Sequence, residues 1–339
     1  MTSIPSIESP WLVADIGGTN ARFGVVTEPG GRPHQVKSLT GADYPDLASA
    51  IETYMATTSG VGRPTVGGVA VAGPVSGDRF RLTNASWDFS VNATKQALSF
   101  RHLALINDFS ALALAVPYLD HNAVVPLGGG ERNTDLPVAV IGPGTGLGVS
   151  GIVPHQGMWI PLATEGGHVT LPVETDLEAQ IAALLRRRFG RVSAETVLCG
   201  VGLTRLYHCI AAIRGAESVI ISPADVCARG RSGADPICVE TLQVFCAMLG
   251  NFAGNVALTV GARGGVLIGG GILPRMRDVL QHSEFRARFE NKAPMTGYVS
   301  AISTELIIAD SPALLGAAQW ITQWLAQELT PTTSEGALV

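Results

Sequence analysis

Short apolar runs recur along the chain, and glycines cluster at their ends. The runs are WLVADI, VGGVAVAG, LALINDF, LPVAVIG and GGVLIGGG. Continuous valine, isoleucine and leucine without polar alternation is typical of strands in a sheet that is covered on both faces. Helical patterns lie between these runs. The alternation of the two patterns predicts an α/β protein.

Two of the helices can be bounded by their end signals. In ETDLEAQIAALLRRRFG, Thr175 and Glu178 have the spacing of a capping box, an apolar stripe follows, and Gly190 is a stop signal. In SPALLGAAQWITQWLAQEL, we expect Ser311 to be the N-cap and Pro312 the first helical residue.

Two glycine turns each join a pair of apolar runs. The first is DIGGTNARFGVV (15–26) and the second is GPGTGLGVSGIV (142–153). Their likeness indicates two related halves, although chance resemblance between short Gly-Thr turns is an open alternative. Backbone N–H groups in such turns can bind phosphate oxygens, and Asp15 could then hold the accompanying Mg²⁺ through water. The alternative for each turn is an ordinary β-turn.

Other nucleotide motifs fit the sequence poorly. No GxxxxGK[ST] is present, which argues against a P-loop protein. GLGVSG (146–151) matches GxGxxG, but it leads into a strand pattern where a dinucleotide-binding motif opens a helix.

Three sites along the chain present candidate ligand groups. Asn107 and Asp108 follow the strand pattern at 103–106, where α/β proteins place ligands, although Asp108 could simply cap the next helix. Glu165 and His168 lie among glycines that make a helix unlikely, so they suit a hydroxylated ligand or a surface loop. Glu195 is a further ligand candidate, or a plain acid at a helix N-terminus.

The composition permits a large core and argues against some partners. The 339 residues are enough for about two domains. Apolar residues make up 46% of the chain and charged residues 15%, which is not typical of disorder. The net charge of −5 argues against nucleic-acid binding. We interpret the basic run at 186–188 as a solvated helix end, where cations complement the dipole.

The remaining signals predict a soluble cytoplasmic protein. The five cysteines include no CxxC pair, so neither a disulfide framework nor a zinc site is favoured. The first ten residues have no basic region and no apolar run, which is unlike a signal peptide. We find no apolar stretch of about 18 residues without polar breaks and expect no membrane span.

Taken together, the motifs resemble the bacterial glucokinase family, in the superfamily that joins hexokinases, actin and the heat-shock ATPases. They run in the family's order over nearly the whole chain: VADIGGTNARFG, LTNASWDFS, INDFSALA, GPGTGLGV, EGGHVTLP, GRVSAETVLCGVGL and GGVLIGGGILPRM. A related sugar-kinase family has a cysteine-rich zinc motif beside its histidine. That motif is absent here, so we expect the non-zinc branch.

The resemblance implies a two-domain actin-like (RNase H-like) ATPase fold with an interdomain cleft, and a homodimer. The smaller α/β domain would be 10–117 plus about 311–332, and the larger would be 118–310. The groups around ATP and Mg²⁺ would be Asp15, Gly17, Gly18, Thr19, Asn20, Gly144, Thr145, Gly146, Gly270 and Gly271. The groups around glucose would be Asn107, Asp108, Glu165, His168 and Glu195.

The activity that the resemblance implies is phosphorylation of glucose by ATP at the 6-hydroxyl, with Asp108 as the general base. Mannose, fructose or glucosamine is an alternative substrate. A non-kinase ATPase or a sugar-binding regulator is an alternative function, because the same fold serves both. A regulator would normally carry an added helix-turn-helix segment, and a pure ATPase would not need the sugar-side residues.

Overall fold

The computed structural model describes residues 4–82 and 87–329, and the chain folds into two compact units. Unit 1 contains the chain up to Tyr118 and from Asp310 onward, whereas unit 2 contains Leu119–Ala309. The middle of the LTNASWDFS motif, residues 83–86, lies outside the described residues.

The secondary structure alternates between strands and helices, as the apolar runs predict. The strands of the described residues are β1 (Trp11–Ile16), β2 (Asn20–Val26), β3 (His34–Thr40), β4 (Val66–Val71), β5 (Arg79–Arg81), β6 (Asp88–Ser90), β7 (His102–Asn107), β8 (Val124–Gly128), β9 (Val138–Pro143), β10 (Leu147–His155), β11 (Met158–Ala163), β12 (Gly265–Ile268) and β13 (Thr304–Ile307). The α-helices there are α1 (Leu47–Ala56), α2 (Val91–Ala97), α3 (Asp108–Ala115), α4 (Asp176–Phe189), α5 (Ala194–Val197), α6 (Gly200–Arg214), α7 (Pro223–Ser232), α8 (Pro236–Val260), α9 (Arg277–Gln281), α10 (Phe285–Glu290), α11 (Thr296–Ser300) and α12 (Pro312–Leu329).

Unit 1 is built on a five-stranded sheet with the order β3-β2-β1-β4-β7. Strands β1, β2 and β3 are antiparallel, whereas β4 and β7 run parallel to β1. All six residues of β4 are buried, and in β1 only Asp15 is less than fully buried. This burial confirms that these runs form strands covered on both faces.

Unit 2 repeats this arrangement. Its six-stranded sheet has the order β11-β10-β9-β12-β13-β8. Strands β9, β10 and β11 are antiparallel, and β12 and β13 run parallel to β9. Five strands of this sheet have the topology of the sheet in unit 1, and β8 adds a sixth at the edge. The two glycine hairpins therefore occupy equivalent positions, as expected for related halves.

The C-terminal helix α12 packs within unit 1 against β4 and α3. A Cβ added at Gly316 would lie 1.7 Å from the carbonyl oxygen of Ala111, and one added at Gly68 would lie 2.5 Å from Ile321. Only glycine permits these close approaches, because any side chain would overlap the neighbouring element.

Both predicted ends of α4 and the predicted first residue of α12 are confirmed, whereas the N-cap role of Ser311 stays a prediction. The hydroxyl of Thr175 accepts from the Glu178 amide and the Glu178 carboxylate returns to the Thr175 amide, so α4 begins with a capping box. It ends before Gly190, which has φ of +72°. Helix α12 begins at Pro312, as predicted.

Helix α8 is the longest helix of the described residues. With 25 residues it is long and apolar enough to cross a membrane by length and composition, which the sequence analysis did not foresee. However, 72% of its most apolar window is buried inside the structure. Phe245, Leu249 and Phe252 belong to the hydrophobic core of unit 2, so α8 has the burial of a core helix.

Candidate active site

Asn107 and Asp108 lie where strand β7 ends and helix α3 begins. The side-chain oxygen of Asn107 accepts from the amides of Phe109 and Ser110, so Asn107 is the N-cap of α3. Asp108 is the first helical residue, and its Oδ1 accepts from the Phe109 amide at 2.9 Å. The alternative that Asp108 merely caps this helix is therefore wrong, because Asn107 fills that position.

The Asn107 side chain also fixes the position of the Asp108 carboxylate. Its Nδ2 donates to Asp108 Oδ1 at 2.9 Å and to the carbonyl oxygen of Gly73 at 3.2 Å. Together with the two amides that Asn107 caps, these bonds use its full hydrogen-bonding capacity. A bond from Asn107 to a sugar would have to replace one of them.

The Asp108 carboxyl group lies in an environment that disfavours its charge. Burial raises its pKa from 3.8 to about 6, although the hydrogen bond from the Phe109 amide opposes the rise. The nearby Asp15 carboxylate raises it further, because two like charges repel. A carboxyl group with a pKa near neutrality is well suited to exchange a proton with a substrate hydroxyl.

Asp15 lies on β1, opposite Arg22 on β2 in the hairpin register. The Asp15 side chain is only 16% exposed, and its Oδ2 lies 3.5 Å from the Arg22 guanidinium. Burial raises the pKa of Asp15, while the Arg22 charge and hydrogen bond lower it. Arg22 was not among the residues for which the motifs predicted a role. The predicted hairpin could have indicated a role, because the register of the hairpin pairs Asp15 with Arg22.

The first glycine turn joins β1 to β2. The Gly17 amide donates to the Asn20 carbonyl at 3.0 Å, which closes the turn. Gly18, Thr19 and Asn20 are exposed. The turn is therefore tight and open to a ligand at its tip.

The second glycine turn joins β9 to β10 and is held from two sides. The Gly144 amide donates to the Gly146 carbonyl at 2.8 Å, and the Gly200 amide at the start of α6 donates to the Gly144 carbonyl at 2.8 Å. A Cβ at Gly270, where φ is +83°, would lie 2.3 Å from the carbonyl oxygen of Pro143. Gly270 thus lies against the strand that leads into this turn, whereas no atom lies within 4 Å of a Cβ added at Gly271.

Glu165, His168 and Glu195 come together in unit 2. His168 closes a single 3₁₀ turn, Gly166–His168, where a glycine loop was predicted. Its Nδ1 lies 3.8 Å from Glu195 Oε1, and its Nε2 lies 4.0 Å from Glu165 Oε2. These separations are too long for hydrogen bonds, so the His168 ring is flanked by the two carboxylates without a direct hydrogen bond to either.

Glu195 also contacts the second glycine turn. It lies in the first turn of α5, and its Oε2 accepts from the Leu147 amide at 2.8 Å. A Cβ at Gly146 would lie 2.5 Å from the same oxygen, so glycine is required there for the carboxylate to reach the amide. One side chain therefore joins the candidate sugar group to the candidate phosphate turn.

Arg191 is a second residue that sequence analysis missed. Its Nη2 donates to the carbonyl oxygen of His168 at 2.7 Å. The only signal in the sequence is that Arg191 follows directly on the stop residue Gly190. Its partner lies 23 residues away along the chain.

The predicted site residues thus form one group in each unit. Unit 1 has Asp15, the first turn, Asn107 and Asp108, whereas unit 2 has the second turn, Glu165, His168, Glu195, Gly270 and Gly271. Within the described residues, no group of three or more His, Cys, Asp or Glu side chains could hold a metal ion. The five cysteines there are free.

Solved structures define the class to which this fold belongs. The chain is similar to a glucokinase from an Antarctic psychrotroph, with a TM-score of 0.86 and 39% identity over 93% of this chain and 99% of that one. A ROK family glucokinase from Streptomyces griseus, solved with glucose and AMPPNP, has a TM-score of 0.65 at 19% identity over 93% of this chain and 100% of that one, which indicates the shared fold alone. The fold is that of the actin-like ATPases and sugar kinases.

The sequence comparisons identify the family. The Glucokinase family model matches residues 12–324. A glucokinase from Chromobacterium violaceum is 46% identical over 322 residues, which are 95% of this chain and 92% of that relative. The chain belongs to the glucokinase family, as the motifs predicted.

Proposed function

We propose that this enzyme transfers the γ-phosphoryl group of ATP to the 6-hydroxyl of glucose, giving glucose 6-phosphate and ADP. Membership of the glucokinase family supports the reaction, as do relatives named glucokinase at 46% identity over nearly the whole chain. The observation that carries the proposal is the placement of Asp108. Its carboxylate is fixed by two neighbouring groups at the end of β7, and its pKa is raised to about 6.

Asp108 acts as the general base in this reaction. Its carboxylate accepts the proton of the 6-hydroxyl while the hydroxyl oxygen bonds to the γ-phosphorus. The bond from that phosphorus to the bridging oxygen breaks, and ADP leaves with the bonding electrons. At neutral pH a group with a pKa of about 6 is mostly ionised, yet it is more basic than an ordinary aspartate.

The sugar is bound by its hydroxyl groups. Glu165 and Glu195 offer carboxylate acceptors, and the His168 ring offers a donor or an acceptor. Asp108 accepts from the reacting hydroxyl, and Asn107 joins the set by exchanging one of its four present hydrogen bonds for one to the sugar. A site that pairs several hydroxyls discriminates strongly between sugars, since a missing hydroxyl leaves a buried group without a partner. The grouping of the His168 ring with the two carboxylates, without a direct hydrogen bond from the ring to either, supports this role.

The nucleotide is bound as its magnesium complex. The turn of Gly17, Gly18, Thr19 and Asn20 and the turn of Gly144, Thr145 and Gly146 donate backbone and side-chain hydrogen bonds to the phosphates. Gly270 and Gly271 lie by the adenosine. Asp15 contacts the substrate's Mg²⁺ through water, because Mg²⁺ keeps much of its hydration shell.

The broader setting is also part of the proposal. We infer a cytoplasmic enzyme of glycolysis that works as a homodimer and belongs to the branch without zinc. The resemblance supports the dimer, and the composition supports a soluble location. Light scattering coupled to gel filtration measures the oligomeric state directly.

A coupled assay across a panel of sugars and donors tests the proposed function. Glucose, mannose, fructose and glucosamine are compared with ATP as the donor, and ATP is then compared with polyphosphate. We expect the highest kcat/KM for glucose with ATP. Comparable or higher values for another hexose would reassign the substrate, and ATP hydrolysis without sugar phosphorylation would overturn the kinase assignment.

A further inference from the structure

A cavity of about 330 Å³ lies in unit 2 beside the chain segments that carry His168 and Glu195. Its walls include Leu171, Val173, Ala182 and Val192, together with Arg186 and Arg191. This volume is at the lower end of the range for small-molecule sites. The walls combine apolar side chains with two guanidinium groups, which is the lining of a site for a small amphipathic molecule.

The cavity walls are continuous with the candidate sugar residues. The segment that follows His168 pairs with the segment that precedes Glu195: the Leu171 amide donates to the Val192 carbonyl at 3.2 Å, and the Ala194 amide donates to the Val169 carbonyl at 2.9 Å. A molecule that displaces these walls therefore moves the backbone on both sides of the sugar residues.

The charges at the cavity favour an anion. Among the described residues, the guanidinium of Arg186 has no hydrogen bond or ion pair, and Arg191 has one side-chain hydrogen bond, to the His168 carbonyl. No acidic residue is among the lining residues. Guanidinium groups bind carboxylates and phosphates through paired hydrogen bonds. The basic run at 186–188, which sequence analysis interpreted as a solvated helix end, thus contributes one arginine to a cavity.

We propose that this cavity binds a small organic oxyanion, with the charged group on Arg186 and Arg191 and the apolar body against Leu171, Val173 and Val192. Binding draws Arg191 from the His168 carbonyl and loosens the turn that presents His168. The ligand therefore weakens glucose binding. This second effect rests on the proposed role of His168 in binding sugar, whereas the cavity itself does not.

Calorimetry with simple probes tests the cavity in the absence of glucose. The probes are phenyl phosphate and benzoate, with benzyl alcohol as the neutral control and inorganic phosphate as the control without an apolar body. We expect phenyl phosphate, benzoate or both to bind the native protein. The probe that binds more tightly shows whether the cavity prefers a phosphate ester or a carboxylate. Benzyl alcohol should not bind, and inorganic phosphate should bind more weakly.

Two arginine variants locate the binding site. Arg186→Gln removes a guanidinium that has no structural partner, so it leaves the fold intact, and we expect roughly a tenfold or greater loss of probe affinity. Arg188→Gln is the matched control, because Arg188 lies on the same helix end with its guanidinium over the Phe189 ring and is not a lining residue. Absence of binding by both oxyanions, or equal losses in the two variants, would overturn the proposal.

The coupling between the cavity and glucose binding is measured separately. With the probe at saturation, the Kd for glucose should rise several-fold, and saturating glucose should raise the Kd of the probe by the same factor. The effect should be absent in Arg186→Gln. An unchanged glucose Kd in the presence of bound probe refutes the coupling. Failure of the protein to bind glucose at all would instead contradict the proposed function, and the probe titration would still decide the cavity.

Discussion

The side-chain amide of Asn107 donates a hydrogen bond to Asp108 Oδ1, with 2.9 Å between the two atoms. The same amide group caps helix α3 through its oxygen. Helix initiation and carboxylate placement therefore depend on one asparagine. Because Asn107 and not Asp108 is the N-cap, Asp108 can be substituted to test its chemical role while the N-cap of the helix stays in place.

The Asp108→Asn substitution should lower kcat far more than it changes glucose affinity. The amide keeps the shape and the acceptor oxygen that bonds Phe109, but it cannot take a proton. Loss of a general base costs on the order of 10²–10⁴ in rate. Asp176→Asn is the matched control, since Asp176 is also the first residue of a helix and is exposed. A near-native kcat in Asp108→Asn refutes the catalytic role.

The raised pKa of Asp108 should also make the protein's stability depend on pH. The folded state holds this proton up to about pH 6, whereas an unfolded aspartate loses it near 3.8. The carboxyl group therefore destabilises the fold progressively as pH rises from about 4 to 6, by up to about 3 kcal/mol. Asp108→Asn should be more stable than the native protein at pH 7 and equal to it near pH 4, as measured by urea unfolding. If the variant and the native protein differ in free energy of unfolding by the same amount at pH 4 and pH 7, the pKa of Asp108 is not raised.

The Gly146→Ala substitution should impair sugar binding through Glu195. The new methyl group would meet Glu195 Oε2, which must swing away and lose its bond to the Leu147 amide. Because the displaced atom ends a flexible side chain, the fold should survive. We expect a roughly tenfold weaker glucose affinity. Gly144→Ala is the control within the same turn, since no atom lies within 4 Å of its added Cβ. Equal effects of the two substitutions would show that the turn, and not Glu195, is responsible.

The Glu165→Gln and His168→Ala substitutions should weaken glucose binding far more than nucleotide binding. Each removes one partner of a sugar hydroxyl, at a cost of roughly 1–3 kcal/mol. Calorimetry with glucose and with a nonhydrolysable ATP analogue separates the two affinities. His155→Ala controls for loss of an exposed histidine elsewhere in unit 2. Parallel losses for both ligands would mean that these residues have only a structural role.

Activity should require a divalent ion that arrives with the nucleotide. Within the described part of the chain no cluster of metal-binding side chains is present, and Asp15 is a single carboxylate. Dialysed protein should contain no stoichiometric metal by elemental analysis and should regain activity with MgATP. Stoichiometric zinc that is lost in His168→Ala would exclude the non-zinc branch.

Local signals in the sequence were enough for the strands β1, β4, β7, β9 and β12, both glycine hairpins and the ends of α4. A capping box, a stop glycine and a run of buried β-branched residues each act over a few neighbouring positions, so their physics can be evaluated from adjacent residues. The sequence analysis gave Asp108 two possible roles, ligand group or helix cap, and did not consider Asn107 as the cap. A helix boundary can move by one residue, and the structure has Asn107 at the N-cap of α3.

The sequence by itself therefore determined the elements and the residue types at their ends, while only the tertiary structure decided which of those ends meet. Glu195 reaches the Leu147 amide across 48 positions of the chain, and Gly270 contacts Pro143 because β9 and β12 are neighbours in one sheet. Such contacts depend on strand order and on close approaches that only glycine allows, and neither has a local signature. The cavity beside Arg186 and Arg191 arises in the same way, since its walls come from two segments paired by a tertiary bridge.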